Sequence, residues 1–206
     1  MRLRSLTDVP RTGGLWAWAA AALAAAAMLA RTADPTLLDW QFVLAWHQPW
    51  RWWTGALVHL SSGHLWANVA GCAVVGAFGW AAGCAPRDVA AWAAAWPLTH
   101  LMLVVRPDLL RYGGLSGVLH AGVAVAAVAL VSRGTGPRRT IGVLVLVGLL
   151  SKLVFERPWA DAVQFWPGWD IGVAPLAHAT GTAAGLASAL VVWTTARVRA
   201  ATTMPR

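Results

Sequence analysis

Six apolar stretches run through this chain, at Gly14–Ala30, Gly63–Gly83, Val89–Val105, Gly114–Val131, Ile141–Phe155 and Ala174–Ala196. Repeats of this kind leave few folds open. In lipid every backbone N–H and C=O must be paired internally, so such runs become helices packed on one another. The 206 residues are 58% hydrophobic and 12% charged, too apolar for a soluble domain of that length. The expected fold is an all-α membrane protein: a compact bundle of six transmembrane helices forming one domain over residues 14–196, between short basic tails at 1–13 and 197–206. Several stretches fall short of the roughly 20 residues of a full crossing. The fifth is the shortest, and so is expected to thin the bilayer or to carry polar ends.

The charges set the orientation. With the N-terminus inside, the inner segments carry Arg2, Arg4, Arg11, Arg87, Arg133, Arg138, Arg139, Arg197, Arg199 and Arg206 against Asp8 and Asp88. The outer segments carry Arg31, Arg51, Arg106, Arg111, Lys152 and Arg157, matched one for one by Asp34, Asp39, Asp108, Glu156, Asp161 and Asp170. The whole net charge of +8 therefore falls on one side, as the positive-inside rule expects, with both termini cytoplasmic. That placement makes the excess charge topological and excludes a nucleic-acid partner. A cleaved signal peptide built on Met1–Arg4 and Ala19–Ala30 is the competing reading of the N-terminus. Against it, the run is long, contains Trp16 and Trp18 and lacks a clear small-x-small cleavage site. The longest connection, Arg31–Ser62, carries Trp40, Trp46, Trp50, Trp52 and Trp53 and is expected to lie on or in the outer leaflet. Cys72 and Cys84 form neither a disulfide framework nor a metal spacing.

Polar residues at the outer ends of three spans carry the chemistry. Spans two, four and six all run from outside to inside. They place His64 and Asn68, Ser116, and His178 in their first turns, at similar depth. Polar groups inside a bilayer are expensive and mark functional sites. A serine hydroxyl attacks a carbonyl when a base takes its proton, and a histidine does this near neutral pH. No carboxylate lies within a span, so a Ser116/His178 dyad is expected. Donors for a developing oxyanion are the Asn68 amide, the His64 ring and the backbone N–H groups of Leu115 and Ser116 at a helix start. Gly113, Gly114 and Gly117 let backbone come close to Ser116. Gly181 and Gly185 have the spacing of a close helix contact, which would press span six on span four.

These motifs together resemble the rhomboid intramembrane serine proteases, over most of residues 50–190. The pattern comprises Trp50-Arg51 in the first loop, His59, then His64-x-x-x-Asn68, Gly114-Leu115-Ser116-Gly117, and Ala177-His178 followed by Gly181 and Gly185. The runs Tyr112–His120 and Lys152–Glu156 are similar to those of the rhombosortase branch. The resemblance implies Ser116 as nucleophile, His178 as base, and His64 and Asn68 lining the oxyanion site. Arg51, His59, Gly114, Gly117 and Gly181 would support them. It also implies a bacterial inner membrane, a site open to the periplasmic side, and no cofactor or metal. The substrates would be membrane-anchored exported proteins whose C-terminus carries a Gly-Gly motif, a transmembrane helix and a basic tail.

The chain departs from the wider family at His120, four residues after Ser116, where many members carry a tyrosine. There it could stack on or bond to His178, or simply bond a backbone carbonyl. His100 and His47 have no motif partner. Rival readings are a catalytically inactive rhomboid-like protein that binds membrane segments, a histidine metal site using His59, His64, His120 and His178, and a small transporter. No carboxylate or cysteine sits among those histidines, and no inverted repeat supports transport.

Overall fold

The computed structural model describes residues 13–202, and side chains as far as residue 196. Arg2, Arg4, Asp8, Arg11, Arg197, Arg199 and Arg206, which carry much of the charge asymmetry, lie outside the described side chains. The long helices are α1 (Gly14–Ala30), α4 (Ser62–Ala82), α5 (Pro86–Leu101, continued by a 3₁₀ turn to Val105), α6 (Ser116–Arg133), α7 (Pro137–Glu156) and α8 (Pro175–Thr202). Two one-turn helices, α2 (Pro35–Leu38) and α3 (Arg51–Thr54), fold the first loop. Four helices, α4, α5 with its extension, α6 and α8, are long and apolar enough to cross a membrane, and α1 is a shorter apolar helix.

Three expectations need correction. The fifth helix is not the shortest: it starts at Pro137, whose ring suits the first helical position, and runs 20 residues to Glu156. The last helix continues past residue 196 to Thr202, so the tail expected at 197–206 is helical over its first part. The fold is also not purely helical. Two short strands, β1 (Trp40–Gln41) and β2 (Arg111–Tyr112), pair antiparallel with Trp40 opposite Tyr112. They tie the first loop to the segment that leads into α6.

Helix α6 is the centre of the bundle and packs on α4, α5, α7 and α8. Its small residues Gly117, Ala121, Gly122, Ala124 and Ala126 are buried, which lets neighbours approach closely. The contact with α8 is the tightest. A side chain at Gly181 would run into the Gly117 carbonyl, and one at Gly117 would stand 2.7 Å from the Ala177 carbonyl oxygen. On the other flank Trp16 and Trp92 stack with centroids 4.4 Å apart. Their indole N–H groups donate to the Val75 and Val118 carbonyls at 2.9 and 2.8 Å, so neither leaves a buried donor unpaired.

Charged residues gather at the two ends of the bundle. At one end Arg133 forks onto Asp88, joining α5 to α6. At the other, buried Asp39 takes both Arg51 (3.2 Å) and Arg111 (2.6 Å). Each pair joins residues that hydropathy put on one side.

The first loop is built around this buried acid. Arg51 also donates to the Asp39 and Thr36 carbonyls, so the Trp50-Arg51 motif is a latch within the loop and does not reach the site. Trp40 is fully buried beneath β2, beside Leu103, Leu109 and Tyr112, in contrast to its expected interfacial place. Trp46, Trp50 and Trp53 are exposed.

Candidate active site

Ser116 is the first residue of α6, and Leu115 is its N-cap. The chain enters this helix through Gly114 at φ +136°, a conformation that L side chains rarely adopt. A Cβ on Gly114 would also stand 2.7 Å from the His64 ring. His178 lies in the first turn of α8, and the glycine contact between α6 and α8 carries it to Ser116. His178 Nε2 is 3.0 Å from Ser116 Oγ. Its other ring nitrogen, Nδ1, is 2.8 Å from Glu156 Oε2 at the end of α7.

Glu156 replaces the expected dyad by a linear Ser–His–Glu array. It is the last residue of α7, one past the apolar stretch that ends at Phe155, which is why a search for carboxylates within those stretches passes over it. The signal was the Lys152–Glu156 pair, one helical turn apart, and Lys152 does pair with Glu156. An ionised Glu156 accepts the Nδ1 proton of His178. That leaves the Nε2 lone pair facing the Ser116 hydroxyl, the tautomer a general base requires.

His120 lies flat against His178, with ring centroids 4.2 Å apart and planes at 11°. Its Nδ1 donates to the Ser116 carbonyl at 2.6 Å. Both roles considered for this residue are thus occupied at once.

The expected oxyanion residues separate. Asn68 lines the same cavity as Ser116 and His178, and donates one amide hydrogen to the His64 carbonyl at 3.1 Å. Its second amide hydrogen remains available. The first amides of α6, from Leu115 onward, have no acceptor inside the helix. His64 is not among the residues that line that cavity, and its ring lies next to Gly114. It pairs with His59, centroids 4.8 Å apart, and His59 bonds the Leu57 carbonyl. Burial holds the His59 imidazole below its usual range, favouring the neutral ring. Tyr112, which the motif reading left without a role, brings its hydroxyl to 3.4 Å from Ser116 Oγ. His100 is buried against the Trp52 carbonyl at 2.6 Å, a structural contact, and His47 is exposed.

The four histidines proposed for a metal do not converge: they form the separate pairs His59–His64 and His120–His178. A different trio does cluster, since His120, Glu156 and His178 offer ligand atoms within 4.8 Å of one another. The carboxylate missing from the sequence reading is therefore present. The ring geometry opposes coordination. A metal lies in the plane of each imidazole that binds it, and one ion cannot lie in both of two stacked, nearly parallel rings.

The array opens on a cavity of about 780 Å³. Its walls are α4 at Ala67 and Gly71, α6 at Leu119 and Val123, and α7 at Val145 and Gly148. Trp166, Pro167 and Trp169 of the α7–α8 loop also line it. That loop is pinned where Asp170 accepts the Ser61 hydroxyl at 2.8 Å. Asn68, Ser116, His120, Lys152, Glu156 and His178 are its polar lining side chains, and the other lining residues are apolar or aromatic. No family model matches the chain, and no curated protein is significantly similar to it.

Proposed function

We propose that this protein is an intramembrane serine protease of the rhomboid type, with six membrane crossings, both termini cytoplasmic and the site near the outer face. The observation that carries the proposal is the unbroken array Ser116 Oγ–His178 Nε2 (3.0 Å) and His178 Nδ1–Glu156 (2.8 Å) at the mouth of an apolar cavity. In this reading His178 takes the Ser116 proton as Oγ attacks the scissile carbonyl. Asn68 and the first amides of α6 receive the oxyanion. His178 then returns the proton to the leaving amine. The cavity, lined by both apolar and polar side chains, suits an extended peptide running into an apolar helix. The rhombosortase-like runs extend the proposal to exported proteins held in a bacterial inner membrane by a C-terminal Gly-Gly, transmembrane helix and basic tail.

The test is purified protein in lipid with a model substrate of that design. A fluorophosphonate should label Ser116, and cleavage should persist in a strong chelator. Loss on chelation, restored by zinc, would move the site to the His120–Glu156–His178 metal reading. Absent labelling and cleavage in a folded protein would leave an inactive membrane-segment binder.

Two smaller effects follow from the geometry. Asn68→Ala should lower kcat, on the order of a hundredfold or more for one oxyanion donor, with KM little changed. A raised KM at constant kcat would make Asn68 a substrate-binding residue instead. His120→Ala removes the ring under His178, and kcat/KM should fall by up to about tenfold, the worth of one ring stack. His120→Tyr should restore much of it, because tyrosine keeps the stack while losing the bond to the Ser116 carbonyl. Equal kcat/KM for all three proteins would reduce His120 to packing.

A further inference from the structure

Tyr112 is the only tyrosine in the chain. Its ring is buried, and its hydroxyl donates to the Gly114 carbonyl at 3.0 Å while lying 3.4 Å from Ser116 Oγ. A phenol has one donor hydrogen, so it serves one of these acceptors at a time. The surroundings fix the ring. Trp40 is its strand partner, and His100 faces it at 5.5 Å. The adjacent Arg111 is held by Asp39, which Arg51 holds in turn. The hydroxyl and the His64 ring flank the same glycine: a Cβ at Gly114 would stand 3.7 Å from one and 2.7 Å from the other.

Resting on the reading of Ser116 as nucleophile, we propose that Tyr112 is a further catalytic residue. Its hydroxyl hydrogen, parked on the Gly114 carbonyl, turns to Ser116 Oγ when that oxygen carries negative charge. In acylation Oγ bonds the scissile carbon, its proton passes to His178 Nε2, and the carbonyl π pair moves onto oxygen. Collapse breaks the C–N bond as His178 protonates the amine. In deacylation water gives its proton to His178 and its oxygen to the acyl carbon, and Ser116 leaves and recovers a proton from His178. Tyr112 keeps its own proton throughout and contributes a hydrogen bond to the oxygen that gains charge when it attacks and again when it leaves. Burial pushes the phenol above its usual pKa, so it remains a donor at neutral pH. The titratable groups around it are His100 against the ring, His64 across Gly114 and His178 across Ser116.

Because the chain has one tyrosine, biosynthetic incorporation of monofluoro- and difluorotyrosine alters Tyr112 alone. It lowers the phenol pKa stepwise while ring and hydroxyl stay in place. Tyr112→Phe should lower kcat by about ten- to a hundredfold, up to the lower end of the range for a single lost oxyanion donor, and slow fluorophosphonate labelling of Ser116 in parallel. Across the fluorotyrosine series the alkaline limb of kcat against pH should move to lower pH in step with the phenol. A limb that stays in place makes Tyr112 structural and overturns the proposal, whatever Tyr112→Phe does, while the protease reading stands. Failure of Ser116 to label in folded wild-type protein overturns both.

Discussion

Ser116→Ala, His178→Ala and the double variant should each lose cleavage to about the same extent, on the order of 10⁴- to 10⁶-fold, because nucleophile and base act as one unit. Without the Ser116 hydroxyl there is no group to form the acyl bond. Without His178 no base takes the Oγ proton, since the other side chain at that oxygen, Tyr112, is a neutral phenol and too weak a base to do so. The fold should tolerate both changes. Ser116 sits at a helix start, where its side chain caps nothing. His178→Ala leaves the α6–α8 contact, made by Gly117, Gly181, Ala121 and Gly185, intact. The measurement is cleavage of a membrane-anchored substrate by inserted protein, with fluorophosphonate labelling as a second readout. Full cleavage by well-inserted Ser116→Ala would falsify the assignment. Additive losses in the double variant would also count against a shared step.

Glu156→Gln should be the next most damaging change, lowering kcat on the order of 10³- to 10⁴-fold through the wrong histidine tautomer. The amide has one acceptor and two donor hydrogens, and Lys152 competes for the acceptor from one helical turn away. With its oxygen turned to Lys152, the glutamine presents N–H to His178. His178 Nδ1 must then accept, its proton moves to Nε2, and Ser116 loses its base. Glutamine keeps the size of Glu156 in the cavity wall, so KM should change little, and so should helix content. Single-turnover acylation compared between wild type, Glu156→Gln and Glu156→Asp separates the possibilities. Acylation by Glu156→Gln within a few-fold of wild type would make Glu156 an ion-pair partner of Lys152 and nothing more.

Some of this molecule is local, and local physics is legible in a sequence. The helices follow from the apolar runs, because a buried backbone in lipid has no other way to pair its hydrogen bonds. The juxtaposition of Ser116 and His178 was foreshadowed by depth and by glycines, since both depend on position along a helix and on the size of a residue. Hydropathy also fixed which charges share an end, and Asp88–Arg133 and Asp39–Arg51–Arg111 pair accordingly.

What the sequence could not supply were contacts across the bundle between residues whose own neighbourhoods look ordinary. Glu156 reads as a helix-end charge until α7 and α8 set it against His178. Tyr112 reads as one more aromatic until β1 and β2 pair and turn its hydroxyl toward Ser116. Trp40 reads as interfacial until the same pairing buries it. In each case the deciding quantity is the rotation of one element about its axis relative to another. A hydrophobic pattern constrains that rotation only to a broad face, whereas side-chain packing fixes it closely enough to decide which polar atoms meet.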